Sequence, residues 1–241
     1  MEVLLAILGI AGAIVVLVTI INILTILTQS KVSLKQYKPK GHKPDRMVRR
    51  IDYVHQWAKS NDFEFLEYYW VRTGFQRLFM AVWQRTDRPT FLCTYLVSNQ
   101  SITDIVTEFA KGISLTTANS KAAQFHPKPP KAYHQTFSRI NLDEQWHRHI
   151  EMENFLMDVG YAELAYTEIQ FEKYFVDAVR KENRYIRGMP YWYLLGAYWY
   201  FVRTNFWHNK SIKTQHEKGM IKLPNEMSAD YPTVKEILPE D

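Results

Sequence analysis

The chain has 241 residues, 46% hydrophobic, 23% charged and 15% aromatic, with a formal net charge of +5 and one cysteine. That length suits one folded domain beyond a membrane segment, that composition excludes a disordered chain, and a lone Cys93 excludes an intramolecular disulfide framework. Nucleic acid is excluded as a partner by the distribution of charge, because the cationic excess sits in one short stretch beside the first apolar segment and the body is close to neutral.

Residues 3–28 read as a transmembrane helix. Val3 to Leu27 contains no ionisable side chain, and at about 1.5 Å per residue it is long enough to cross a hydrocarbon core roughly 30 Å thick. A cleaved secretory signal does not fit: Met1-Glu2 is not a basic start, the apolar run is too long, and Thr28-Gln29-Ser30-Lys31 is not a small-residue cleavage site. Ala6, Gly9 and Ala13 place small residues on one side of the span, where another helix can approach closely. Residues 29–44 form a basic juxtamembrane linker. Lys31, Lys35, Lys38, Lys40, Lys43, Arg46, Arg49 and Arg50 are opposed only by Asp45, which predicts a single-pass protein with its amino terminus outside and its carboxyl-terminal domain cytoplasmic. The same eight cations are expected to contact anionic lipid headgroups. A reducing cytoplasm suits Cys93, expected as a core residue in the apolar run from Phe91 to Val97.

Residues 45–186 are expected to form a cytoplasmic α+β domain. Met47, Val48, Ile51, Val54, Trp57 and Ala58 recur at helical spacing. Five β-rich runs follow, Phe63 to Val71, Arg77 to Gln84, Thr90 to Ser98, Ile102 to Ala110 and Ile113 to Thr117, broken at turn residues. They predict an antiparallel meander of four or five strands packed with amphipathic helices. Leu78, Met80 and Val82 alternate with Phe79, Ala81 and Trp83, so that strand should be covered on both faces. Ser120 to Arg139, with its His126-Pro127-Lys128-Pro129-Pro130 run, reads as an extended strap. Asn141 is placed to cap a helix ending near Gly160, with Glu144 completing the start, and a second helix is predicted over Glu163 to Ile186.

Residues 187–208 contain four tyrosines and three tryptophans between Pro190 and Trp207, side chains suited to a membrane interface. Tyr191, Trp192, Tyr198, Trp199, Arg203 and Trp207 are therefore expected to lie against the bilayer. A core helix is the competing arrangement, and a second span is disfavoured by Arg203. Residues 209–241 read as a polar, loosely held tail.

Thr107-Glu108-Phe109, Gly112, Leu115-Thr116-Thr117-Ala118-Asn119, Pro127, Pro129-Pro130, Leu142-Asp143-Glu144 and His149 form a pattern that resembles a group of uncharacterised bacterial membrane-anchored proteins. The resemblance covers about a quarter of the chain. It implies a bacterial inner membrane and no particular chemistry.

Candidate polar-site residues are Glu108, Thr116, Thr117, Asn119, His147 and His149. No metal site is expected, because His147 and His149 lie about 200° apart on a helix whereas zinc pairs use i, i+4 spacing. Asp143 with His147, His147 with Glu151, and His149 with Glu153 share faces but lack a third ligand. Thr116-Thr117 with His126 or His134 offers a hydroxyl and a base without the glycines of a nucleophile elbow. Neither phosphate-cradling glycine pattern occurs, so no nucleotide or other cofactor is expected. Two functions remain: a membrane-tethered structural or protein-interaction module, whose partners are membrane lipids and another membrane protein, and an enzyme acting on a lipid-associated substrate at the cytoplasmic face. The absence of a catalytic motif favours the first. A deep pocket joining His147, His149, Thr116 and Glu108 would mark the enzyme, and an exposed apolar patch the module.

Overall fold

Runs of β-branched, aromatic and other apolar residues over Phe63 to Thr117, broken at turn residues, form five consecutive strands, and two short edge strands extend them. In the computed structural model, which describes residues 2–29, 31–39, 46–73, 76–97, 100–160, 162–165 and 170–227, the sheet runs in chain order: β1 (Ser33–Gln36), β2 (Phe63–Thr73), β3 (Gln76–Arg85), β4 (Thr90–Val97), β5 (Gln100–Phe109), β6 (Ile113–Ala118) and β7 (Ala132–Thr136). Neighbours are antiparallel as far as β6, and β7 pairs parallel to β6. The expected four or five antiparallel strands are thus corrected to seven in a mixed sheet. The two additions come from segments too short to show a period. β1 lies inside the basic linker and pairs Leu34 with Val71. β7 lies inside the strap, which crosses over the sheet end because a parallel pair cannot be closed by a hairpin.

Helices cover both faces. The apolar helix α1 (Glu2–Gln29) is followed by α2 (Arg46–Arg50) and α3 (Asp52–Ser60), one predicted helix broken at Ile51 by non-helical dihedrals (φ −113°, ψ 11°). One face of the sheet packs Phe79, Ala81, Trp83 and Ile105 against Val54 and Ala58 of α3 and Leu142 of α4 (Leu142–Asp158). The opposite face packs Met80, Val82, Phe91 and Cys93 against Phe171 of α5 (Phe171–Arg187). β3 is accordingly buried on both sides. The α4 cap is formed as the sequence predicts, Glu144 N–H donating to Asn141 Oδ1 at 2.8 Å, and a side chain at Gly160 would strike the Leu156 carbonyl at 2.7 Å. α5 begins later than predicted, since Leu164 is engaged in a β-bridge to Phe109.

The aromatic segment is one continuous helical run: α6 (Trp192–Tyr198), a π-helical turn (Trp199–Arg203) and α7 (Thr204–Trp207). Beyond it, α8 (Ile212–Glu217) and residues to Met227 are packed rather than loose, with Ile212 and Leu223 buried and Tyr133 Oη donating to the Lys222 carbonyl at 2.9 Å. Residues 228–241 of the predicted tail lie outside the described residues. α1 is long and apolar enough to cross a membrane, with mean hydropathy 2.8 over its candidate span. It is exposed along most of its length, but Asn22 and Ile26 near its end are buried in the domain.

Candidate functional site

The two-residue period of β6 decides which polar groups can meet, because Thr116 and Thr117 must point to opposite faces of the sheet. Thr117 faces α4, where it joins a buried network. His149 bridges Thr107 and Thr117, each hydroxyl 2.8 Å from one ring nitrogen. The proton positions follow from the partners: Thr107 donates to Glu153 Oε2 at 2.9 Å, so it accepts from His149 Nε2–H, and His149 Nδ1 accepts from Thr117. Arg88 closes the far side by pairing with Glu153 at 2.7 Å. Gln145 accepts from the Thr103 hydroxyl at 2.6 Å and donates to the Thr103 and Thr117 carbonyls at 2.8 and 2.7 Å. Burial, reinforced by Arg88, pushes His149 down to about 3, so it is neutral. Its hydrogen-bonding capacity is fully used in tying α4 to the sheet, which makes it a structural group.

Thr116 faces the other way, into a cavity of about 290 Å³ beneath α5. Its cross-strand neighbours are Val106 on β5 and His134 on β7. Asp104 and Glu108 flank Val106 at the two-residue spacing that keeps them on this face. α5 supplies Tyr174 and Lys181. Asp104 Oδ1, Glu108 Oε1 and His134 Nδ1 are buried without a hydrogen-bond partner among the described residues, an arrangement rare in folded proteins. Burial raises Asp104 to about 7 against the pull of Lys128. Glu108 is likewise raised to about 7 by burial, which the Tyr174 hydroxyl and Lys181 oppose. Burial and Lys128 hold His134 well below its ordinary value. Two carboxyls titrating near neutrality beside a neutral imidazole can give and take protons. No cluster of three metal-ligating side chains occurs among the described residues.

A second cavity, of about 400 Å³, lies between the strap, the end of α5 and the aromatic helical run. His134 lines both cavities, and the Lys128–Glu182 ion pair (2.8 Å) contributes one member to each. Trp199 and Trp207 line this side with the Arg203 guanidinium over their rings at 5.3 and 5.6 Å. Thr204 holds the π-helical turn by donating to the Trp199 carbonyl at 2.7 Å. The outward side is apolar: Tyr191, Leu194, Tyr198, Phe201, Val202 and Phe206 are exposed. This run packs on α1, with Gly196 against Asn22, and His126 Nε2 lies 3.3 Å from Asn22 Oδ1.

The candidate polar residues are therefore divided by the sheet. Thr117 and His149 meet under α4, Glu108 and Thr116 meet under α5, and His147 is exposed on α4. Asn119 closes the end of β6 by accepting from Thr103 N–H at 2.9 Å. Asp104 escaped sequence reasoning, although an ionisable residue inside Ile102 to Val106 was a signal. His126 belongs to the α1 contact, whereas His134 is the true neighbour of Thr116. Among the basic residues, Lys31, Lys35, Lys38, Arg46 and Arg49 are exposed, Arg50 is half-buried, and Lys40 and Lys43 lie outside the described residues. Trp192, like Trp199 and Trp207, is half-buried. The chain matches no family model, no curated protein and no solved structure.

Proposed function

We propose that the protein is a single-pass anchor of a bacterial inner membrane, amino terminus outside, whose α+β domain rests on the cytoplasmic face as a membrane-tethered interaction module. The observation that carries this reading is that the aromatic run of residues 191–206 packs through Gly196 on the end of an exposed apolar helix while its outward apolar side stays exposed. One bilayer would remove both surfaces from water, α1 spanning it and the aromatic run lying in its interface. Burial of Asn22 and Ile26 supports an uncleaved anchor, since removal of α1 would strip the Ile26 carbonyl from the Asn183 side-chain amide that donates to it. The exposed cations Lys31, Lys35 and Lys38 adjoin that end of α1 in sequence and, with the exposed Arg46 and Arg49, suit anionic headgroups.

A second reading, an enzyme for a lipid-associated substrate, is favoured by one observation: the cavity under α5 gathers three titratable groups, each with one buried polar atom that has no hydrogen-bond partner among the described residues. Affinity capture after photo-crosslinking in intact membranes, with a topology reporter on the carboxyl terminus, separates the two. The module predicts a cytoplasmic reporter and a stoichiometric protein partner that Asp104→Asn leaves bound. Solitary recovery with bound lipid altered in an Asp104-dependent manner would replace it with the enzyme, and a periplasmic reporter would overturn both.

A further inference from the structure

We propose that the 400 Å³ cavity between the strap, α5 and the aromatic helical run is a binding site for a phosphate group, presented by the headgroup of a membrane lipid. Its lining contains Lys128, Lys131, Arg203 and Lys222 and no carboxylate among the described residues. Lys128 is neutralised by Glu182 at the cavity edge. Lys131, Arg203 and Lys222 have no carboxylate within ion-pair distance among the described residues. These three cations line one concave site, whose field attracts an anion, although Lys222 also acts on Glu226 outside the lining.

The walls fit such a ligand. Arg203 is held in place by the faces of Trp199 and Trp207 rather than by an acid, which leaves its fork of N–H donors available to oxygen atoms, and guanidinium groups bind phosphate through paired donors. The buried indole N–H of Trp207 has no partner among the described residues, and indole is a donor only, so a small local rearrangement would let it serve an anion and not a cation. The lipid source follows from position and rests on the docking proposed above. The same run that supplies Arg203 packs on α1 through Gly196, and the strap touches Asn22 through His126. A domain docked in that way would hold the cavity at headgroup depth.

The test uses the full chain in neutral detergent, supplied with equimolar phosphatidylglycerol and phosphate-free monoglucosyl diacylglycerol, with bound lipid read by native mass spectrometry. Preferential retention of phosphatidylglycerol is expected, lowered about tenfold by Arg203→Gln and by the pair Lys131→Gln with Lys222→Gln, the worth of roughly one charge-assisted hydrogen bond. The lysine pair decides the matter should Arg203→Gln fail to fold. Lys213→Gln with Lys218→Gln, exposed and outside the cavity, is expected to leave retention unchanged. Soluble glycerol phosphate provides the second arm: saturable quenching of tryptophan fluorescence that Lys131→Gln with Lys222→Gln abolishes, without lipid preference, keeps the phosphate site and assigns its source to solution. Retention unaffected by the cavity variants, together with no response to glycerol phosphate, overturns the site. A label at Leu194 reports membrane docking independently, so either idea can fail alone.

Discussion

Gly196 sits where a side chain would meet Asn22: a Cβ there would lie 3.1 Å from the Asn22 Cβ and 3.5 Å from its Cγ. This is the contact at which the aromatic run meets α1. By contrast, an added Cβ at Gly9, on the small-residue side of α1, would have nothing within 4 Å. Within the chain, the close approach of a helix to α1 therefore uses a glycine outside the span. Gly196→Leu should destabilise the detergent-solubilised protein by about 1–3 kcal/mol through overpacking, while Gly9→Leu should leave its thermal unfolding unchanged. Equal melting of the two variants would contradict this packing.

Glu153 has a fully buried side chain, and Arg88, at 28% side-chain exposure, is its ion-pair partner. Arg88→Ala should cost about 3 kcal/mol in denaturant unfolding, the penalty for stranding a buried charge. Adding Glu153→Gln should restore most of it, since the amide oxygen can still accept from Thr107. Failure of the double variant to recover would place the value of Arg88 elsewhere.

Acid and base should act on stability in opposite senses at the two polar layers. His149 is lowered to about 3 from an ordinary 6.5 by burial. Between those values the unfolded chain binds more protons, so its contribution is complete above pH 6.5 and is lost as pH falls towards 3. Replacing it with Gln should flatten that acid limb.

Asp104 and Glu108, raised to about 7 by burial, bind more protons when folded. Their contribution is present below their ordinary carboxylate values and is lost as pH rises through 7. Asp104→Asn should therefore gain on the order of 1–3 kcal/mol at about pH 8 and nothing at about pH 4, measured by chemical unfolding. A uniform effect across pH would mean that Asp104 does not titrate in the cavity.

Local pattern carried much of this fold. The five interior strands, the Asn141 cap and the double-sided burial of Met80 and Trp83 follow from period and chemistry confined to a few neighbouring residues. β1 and β7 did not, because four- and five-residue edge strands take their definition from partners distant in sequence. The polar site was half legible. Thr116 and Glu108 were recognisable as unusual, but their separation from Thr117 and His149 depends on strand pleat, and their grouping with Asp104 and His134 depends on register between β5, β6 and β7. The packing of residues 212–227 had no periodic signal, since it rests on single anchors such as Ile212 and Leu223.

The docked arrangement is tested most directly by a spin label at Leu194, which is 59% exposed on the outward side of the aromatic run. Cys93 is buried with its thiol pushed well up, so one introduced cysteine can be labelled selectively in the full chain. In reconstituted bilayers the label at Leu194→Cys should collide more readily with dissolved oxygen than with a water-soluble nickel chelate, whereas Lys213→Cys, on the exposed side of α8, should show the reverse. Chelate accessibility at position 194 equal to that at 213 would contradict the account, because the aromatic run would then face water.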